Sequence, residues 1–277
     1  MPTHNLSPFK LKIRNAISFL LGSKIARPFA TGLAKAGLLG LGVGIHYEFK
    51  QSGEAWLMKN VFAAEPRLAC LDVGANVGDF TLLARKLGAP YVVAFEPVSE
   101  TFAQLKAAVA NDADVQPIQS AVGEHFGTTT FFTLINSDQS TLASRDIGVT
   151  DVALDQAREI TVPITSLDHW FDSAPPLRFD FLKIDVEGFE LEVLRGAAQV
   201  LRTKPPQIIQ FEFNSHHARR RQTLQDFFDA LPGYHLFRLA AHSLRPIDPN
   251  DYLSTIYTYQ NIVCLHQSAN ALITALT

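Results

Sequence analysis

From about residue 66 onward, apolar runs alternate with stretches in which apolar positions recur every three or four residues. Residues 68–73 read as a buried strand, and the stretch behind them puts Phe80, Leu83 and Leu87 on one helical face. Residues 91–95 form the next strand, Phe102, Leu105 and Val109 mark the next helix, and 115–122 predict a third strand. Such alternation argues for parallel βαβ units. It breaks over about 123–178, where 128–134 and 159–164 predict extra strands of a β-rich insertion and Thr165-Ser166-Leu167-Asp168 opens a short helix. Regularity then returns with a strand at 179–184, a helix at 190–201, a strand at 207–213 and a helix to about Leu231. Strands at 234–239 and 261–265 complete the pattern, and Pro175-Pro176 and Pro205-Pro206 fit strand-entry loops. The pattern predicts an α/β, Rossmann-like domain over 61–277, with a helical extension over 1–60.

The segment 1–60 follows another rule. Lys10, Lys12 and Arg14 precede the apolar run Ala16 to Gly22, which faintly resembles a secretion signal, but Lys24 and Arg27 interrupt it and no small-residue cleavage site follows. A second apolar stretch, residues 28–47, carries Lys35 in its middle and five glycines. A central Lys makes bilayer insertion costly, so no spanning segment is expected. Helices packed on the main domain are the expected structure, with peripheral membrane attachment through the N-terminus the second reading.

Composition narrows the classes further. The chain has 277 residues and 20 Phe, enough for a large core and against disorder. A net charge of −3 provides no overall pull toward nucleic acid, so no nucleic-acid partner is expected. Cys70 and Cys264 both sit in apolar strand-like runs. Two buried thiols make no disulfide framework, so a reducing, cytoplasmic setting is the expectation. A homo-oligomer is compatible with all of this.

The first candidate chemistry is the loop Asp72-Val73-Gly74-Ala75-Asn76-Val77-Gly78, where strand one gives way to helix one. Ligands of open parallel sheets bind outside the carboxyl ends of the strands, where chain order reverses. Gly74 lets the backbone turn and approach a ligand closely, and Gly78 lets the helix start pack tightly. A dinucleotide loop needs three spaced glycines to set pyrophosphate on the helix dipole. Here only two flank Ala75-Asn76-Val77, and Asp72 stands nearby. An acid there suits a cofactor bearing an ammonium group, as S-adenosylmethionine does, and leaves a nicotinamide-dependent oxidoreductase as the weaker reading. Glu96 ends strand two, one strand–helix unit after Gly74, where a carboxylate can accept from both ribose hydroxyls. Ser120 and Ala121, near the end of strand three, are the expected adenine neighbourhood.

The second constellation is Lys183-Ile184-Asp185-Val186-Glu187-Gly188, leaving strand four. Alternation puts Lys183, Asp185 and Glu187 on one side of an extended chain. Buried charges are expensive unless they pair or bind something. Asp185 is the first candidate for a catalytic carboxylate, as base or metal ligand, with Glu187 and Lys183 beside it. Strand five adds Glu212, Asn214 and His216; His216 is a candidate base, its ordinary pKa lying near neutrality. Asp185 with Glu212 and Asn214 would suit Mg²⁺, whereas pairing of Glu212 with Lys183 or Arg195 would leave no metal site. Arg219-Arg220-Arg221 would either meet an anionic acceptor or form a solvated helical face.

With Asp72-Val-Gly-Ala-Asn-Val-Gly78, Phe95-Glu96-Pro97 and Lys183-Ile-Asp-Val-Glu-Gly-Phe-Glu190 in hand, the chain resembles the FkbM family of methyltransferases over about residues 54–213. Ala121-Val122-Gly123, Ser140-Thr141-Leu142 and Thr165-Ser166-Leu167-Asp168 are also similar to that family. The resemblance implies a class I methyltransferase fold, with a seven-stranded mostly parallel sheet whose last strand is antiparallel and helices on both faces. It also implies methyl transfer from S-adenosylmethionine to a hydroxyl oxygen on a small-molecule or carbohydrate acceptor, such as a sugar, polysaccharide precursor or natural product. A non-catalytic cofactor-binding protein on the same fold is the remaining alternative.

Overall fold

The computed structural model of the protein describes residues 8–44, 52–134, 143–144, 157–173 and 178–277. The chain first lays down β1 (Cys70–Val73), β2 (Val92–Phe95) and β3 (Val115–Ile118). It then builds a small sheet from β4 (Ala121–Val122), β5 (Gly127–Leu134), β6 (Ala143–Ser144) and β7 (Ala157–Thr165). Five strands return to the main sheet: β8 (Phe181–Ile184), β9 (Ile208–Phe213), β10 (Tyr234–Ala240), β11 (Ser243–Pro246) and β12 (Gln260–His266). The main sheet runs β11-β10-β12-β9-β8-β1-β2-β3. Pairing is parallel from β3 to β9, and β12 is antiparallel to both its neighbours. Chain order reverses between β1 and β8, which makes the carboxyl ends of these two strands the switch point.

β1, β2 and β8 are buried at every position, which is why they read as unbroken apolar runs rather than alternating ones. One face packs Cys70, Val92 and Phe181 under helices Glu54–Ala64, Asp79–Leu87 and Asn270–Leu276. The other packs Leu71, Phe95, Ile184 and Phe211 under helices Glu190–Arg195 and Leu224–Ala230. Cys70 and Cys264 are buried free thiols.

The main sheet holds eight strands where seven were expected. After Ala240 the chain turns back through 241–242 into β11, whose Ser-Leu-Arg-Pro sequence is too short and polar to show a strand period and suits a sheet edge. Residues 115–122 are not one strand: β3 belongs to the main sheet, and β4 pairs with β7 in the small one. The expected helix at 190–201 is two helices, broken where a Cβ on Gly196 would overlap the carbonyl of Gly123. The helix after β9 is also split, into Ser215–Arg219 and Leu224–Ala230, with Arg221 at φ +57° between them.

The Thr165–Asp168 motif turns out to be a staple. Ser166 Oγ accepts the His169 amide, and Asp168 accepts the amides of Gln199 and Val200, capping helix Ala198–Thr203 from a distant part of the chain. Trp170 packs among Phe95, Phe171 and Phe179, so this aromatic anchors the segment. Ser140-Thr141-Leu142 and Pro175-Pro176 lie outside the described residues.

Within the 1–60 segment, helix Glu54–Ala64 buries Leu57, Met58, Val61 and Phe62. Helix Arg27–Gly40 buries none of its side chains. None of the described helices is long and apolar enough to cross a membrane.

Candidate functional site

Gly74 closes β1 at φ +83°, and a Cβ there would overlap the carbonyl oxygen of Asp185. Only glycine permits both the left-handed turn and this close approach of the β1 and β8 ends. The Gly74 and Ala75 amides donate to the Phe95 carbonyl at 3.0 and 2.8 Å, which ties the loop to β2. Asn76 is itself left-handed, at φ +50°, and its amide donates to Glu96 Oε2 at 3.0 Å. The Val98 amide donates to Glu96 Oε1 at 2.9 Å. The glycine loop and Glu96 therefore meet directly. Burial raises the Glu96 carboxyl to about 7, against the pull of the two amides.

Gly78 caps helix Asp79–Leu87 at φ +99° and leaves room for Leu105, whose Cδ1 would lie 2.8 Å from a Cβ there. Asp72, the acid of the loop, is enclosed by the fold. It is 1% exposed, and its Oδ2 accepts the Thr81 hydroxyl at 2.6 Å. Burial raises it to about 6, with Lys183 opposing. The bond to Thr81 ties the strand to the following helix. Ser120 donates its hydroxyl to the carbonyls of Ala121 and Pro163. Ser120 and Ala121 thus sit at the junction of the two sheets, just past the Ile118 carbonyl that accepts the Glu96 amide.

Lys183 lies in register between Asp72 on β1 and Gln210 on β9. It is almost fully buried and donates to Asp185 Oδ2 at 2.9 Å. Burial alone would lower its pKa, but the carboxylates of Asp185, Glu54, Glu212 and Asp72 outweigh that and keep the ammonium charged. Glu54 is a member of this cluster that no sequence signal marked. It reaches in from the helix before β1, accepting from Gln210 at 2.7 Å and from Ser52 at 2.9 Å. Tyr259 is another, donating its hydroxyl to Glu212 at 2.6 Å.

The segment after β8 does not stay extended. Glu187 is left-handed at φ +54°, and its Oε2 lies 3.4 Å from His216 Nδ1. Burial, with Asp185 and Glu190 adding repulsion, raises Glu187 to about 8. Gly188, at φ +93°, passes beneath His216, whose Cβ would meet a Cβ on it at 2.7 Å. Glu190 pins this turn from below, accepting the amides of Val186 and Gly188 at 3.2 and 3.3 Å. Its other oxygen lies 2.8 Å from His217 Nε2, with both side chains wholly buried. His217 Nδ1 accepts the Asn214 amide, so the ring proton sits on Nε2 facing Glu190. Burial would raise Glu190, yet His217 and the backbone amides hold it below the usual carboxylate range.

The three residues expected to hold Mg²⁺ each make a contact within the chain. Asn214 Oδ1 caps helix Ser215–Arg219 by accepting the His216 amide at 2.9 Å. Glu212 is raised well above its ordinary range by burial and by Asp185, and it is bonded to Tyr259. Asp185 is held by Lys183. Among the described residues no three His, Cys, Asp or Glu side chains converge as metal ligands. Arg220 of the arginine run pairs with Glu192 and lies 3.7 Å over the Phe189 ring.

Among known proteins, Methyltransferase 1 of Beauveria bassiana (strain ARSEF 2860) is 32% identical over 142 residues, which cover 46% of this chain and 57% of that protein. Methyltransferase sdnD of Sordaria araneosa is 33% identical over 152 residues, covering 46% of this chain and 59% of that protein. The chain therefore spans under two thirds of the length of these relatives. A SAM-dependent methyltransferase structure from Agrobacterium tumefaciens superposes with a TM-score of 0.42 at 11% identity, covering 82% of this chain and 69% of that one. Residues 72–239, more than half of the chain and nearly all of the site just described, match the Methyltransferase FkbM domain, and the chain belongs to that family.

Proposed function

We propose that this protein is an S-adenosylmethionine-dependent O-methyltransferase acting on a hydroxyl of a sugar, polysaccharide precursor or natural product. The observation that carries the reading is the meeting of three strand ends: Gly74 against the Asp185 carbonyl, with the Asn76 amide on Glu96. The first contact draws the β1 and β8 ends together and the second sets a carboxylate beside the glycine loop, where the two ribose hydroxyls of a nucleoside can donate. When bound, S-adenosylmethionine supplies an electrophilic methyl group on sulfonium sulfur. Glu96 would hold the ribose, and the 74–78 turn would lie against the methionine part.

The residues of the chain then have the proton to manage. A hydroxyl must lose its proton as its oxygen is methylated, and positioned carboxylates suit that task. Lys183 orients Asp185 through Oδ2. We assign Asp185 Oδ1 to receive the acceptor's proton, with Glu187 and His216 flanking the acceptor. Lys183 acts as a positioning residue, its ammonium holding Asp185 among the carboxyl groups of Glu54, Glu212 and Asp72.

Isothermal titration of the full chain with S-adenosylhomocysteine tests the cofactor assignment; absence of binding by folded protein overturns it. Turnover with a panel of hydroxylated acceptors tests the chemistry. Asp185→Asn is expected to lower kcat by about a hundredfold or more while retaining S-adenosylhomocysteine binding. Cofactor binding without turnover on any acceptor would instead favour a non-catalytic protein.

A further inference from the structure

Ten large hydrophobic side chains are exposed among the described residues, and eight of them lie between Ile13 and Leu39. Phe19, Ile25 and Phe29 are 85%, 95% and 68% exposed. They belong to two helices, Pro8–Leu21 and Arg27–Gly40, and to the turn between them. Ile13, Ile17 and Leu20 fall at helical spacing i, i+4, i+7, and Phe29 and Leu33 at i, i+4, so each helix carries an apolar stripe. Around the stripes stand Lys10, Lys12, Arg14, Lys24, Arg27 and Lys35, all exposed, and no Asp or Glu precedes Glu48.

We propose that this helical pair docks on the surface of a bilayer containing anionic phospholipid, the stripes entering the interface and the six cations meeting lipid phosphates. Charge decides the occupant. A second copy would bring the same cations against these, with no acid in the segment to answer them. A nucleic acid would answer the charge but leave isoleucine and phenylalanine in water. An anionic interface takes both, as interfacial amphipathic helices with basic flanks do. At 14 residues each, the helices suit lying in the interface rather than crossing it.

The attachment to the body has a direction. A Cβ on Gly42 would overlap the Leu239 carbonyl of β10, and the Gly44 amide donates to the Tyr259 carbonyl at 2.7 Å. Tyr259 is the residue whose hydroxyl holds Glu212. The docking helices are thus joined to the body at the carboxyl-end side of the parallel strands, where the candidate site lies. The docking itself stands whatever reaction the site performs.

Co-sedimentation of the full chain with phosphatidylcholine vesicles, alone or mixed with phosphatidylglycerol, tests the proposal. Partition onto the mixed vesicles is expected to exceed that onto neutral ones by about tenfold at low salt and to fall as salt rises. The double substitution Ile17→Glu with Phe29→Glu, at exposed positions of the two stripes, is expected to cut that partition by about tenfold or more with an unchanged melting curve. Lys10→Gln with Lys12→Gln and Arg14→Gln is expected to remove the preference for anionic lipid. Equal binding to both vesicle types, or full binding by the glutamate variant, overturns the proposal. A dimer that the glutamate variant splits without altering vesicle binding also overturns it, by assigning the face to self-association.

Discussion

Glu96 is a carboxyl poised between two states. Burial raises it to about 7, while the Asn76 and Val98 amides favour the ionised form. Ribose hydroxyls donate more strongly to a carboxylate than to a carboxylic acid. The ionised fraction at pH 6 is about a tenth for a group of this pKa and about nine tenths at pH 8. S-adenosylhomocysteine affinity is therefore expected to rise by up to about tenfold between these pH values, read by titration calorimetry. Glu96→Gln should bind more weakly and show a flat profile. A wild-type profile equally flat would remove Glu96 from the ribose.

The turn between β8 and the helix after it depends on a contact one layer below it. Glu190 holds the Val186 and Gly188 amides, and His217 holds Glu190. His217 is itself stacked on Phe213 at 4.8 Å and held by the Asn214 amide. Neither side chain of the pair touches solvent, so removing one strands the other. His217→Ala is expected to cost about 3 kcal/mol in urea unfolding, because a buried carboxylate loses its partner. In variants that still fold, the loosened 185–188 turn should lower kcat more than it lowers S-adenosylhomocysteine affinity. Stability close to wild type would show that Glu190 does not depend on the imidazole.

Across the whole molecule, buried carboxyls dominate the response to pH. Asp72 and Glu96, at about 6 and about 7, take up protons on folding because both are raised above their unfolded values. The sign follows from linkage: their contribution is full below the unfolded values near 4 and is lost as pH rises through the folded values. Glu190 works the other way, its contribution being lost as pH falls through its depressed value. Between pH 6 and 8.5 Glu187, raised to about 8, and the raised Glu212 act in the same direction as Asp72 and Glu96, and stability to urea is expected to fall by on the order of 2 kcal/mol or more. A urea midpoint that climbs over this range would contradict the burial of these carboxyls.

How much of this was legible along the chain depends on the reach of each interaction. The strands β1, β2, β8, β9 and β12, the glycine turn, Glu96 at the end of the strand that follows it and the Lys183–Gly188 motif were all readable, because period and local backbone demands are written in neighbouring residues. The extra strand β11, the break at Gly196 and the switch of residues 115–122 between two sheets were not, since each answers a contact from a distant segment. The same divide runs through the site. Glu54 and Tyr259 join it only because Gln210 and Glu212 bring them there, over 156 and 47 positions. Residue type alone does not show that Asn214 Oδ1 accepts an amide at a helix start or that Asp72 accepts the Thr81 hydroxyl. Residue type and spacing thus settled which groups were available for chemistry; desolvation and hydrogen bonding across the fold settled which of them were already taken.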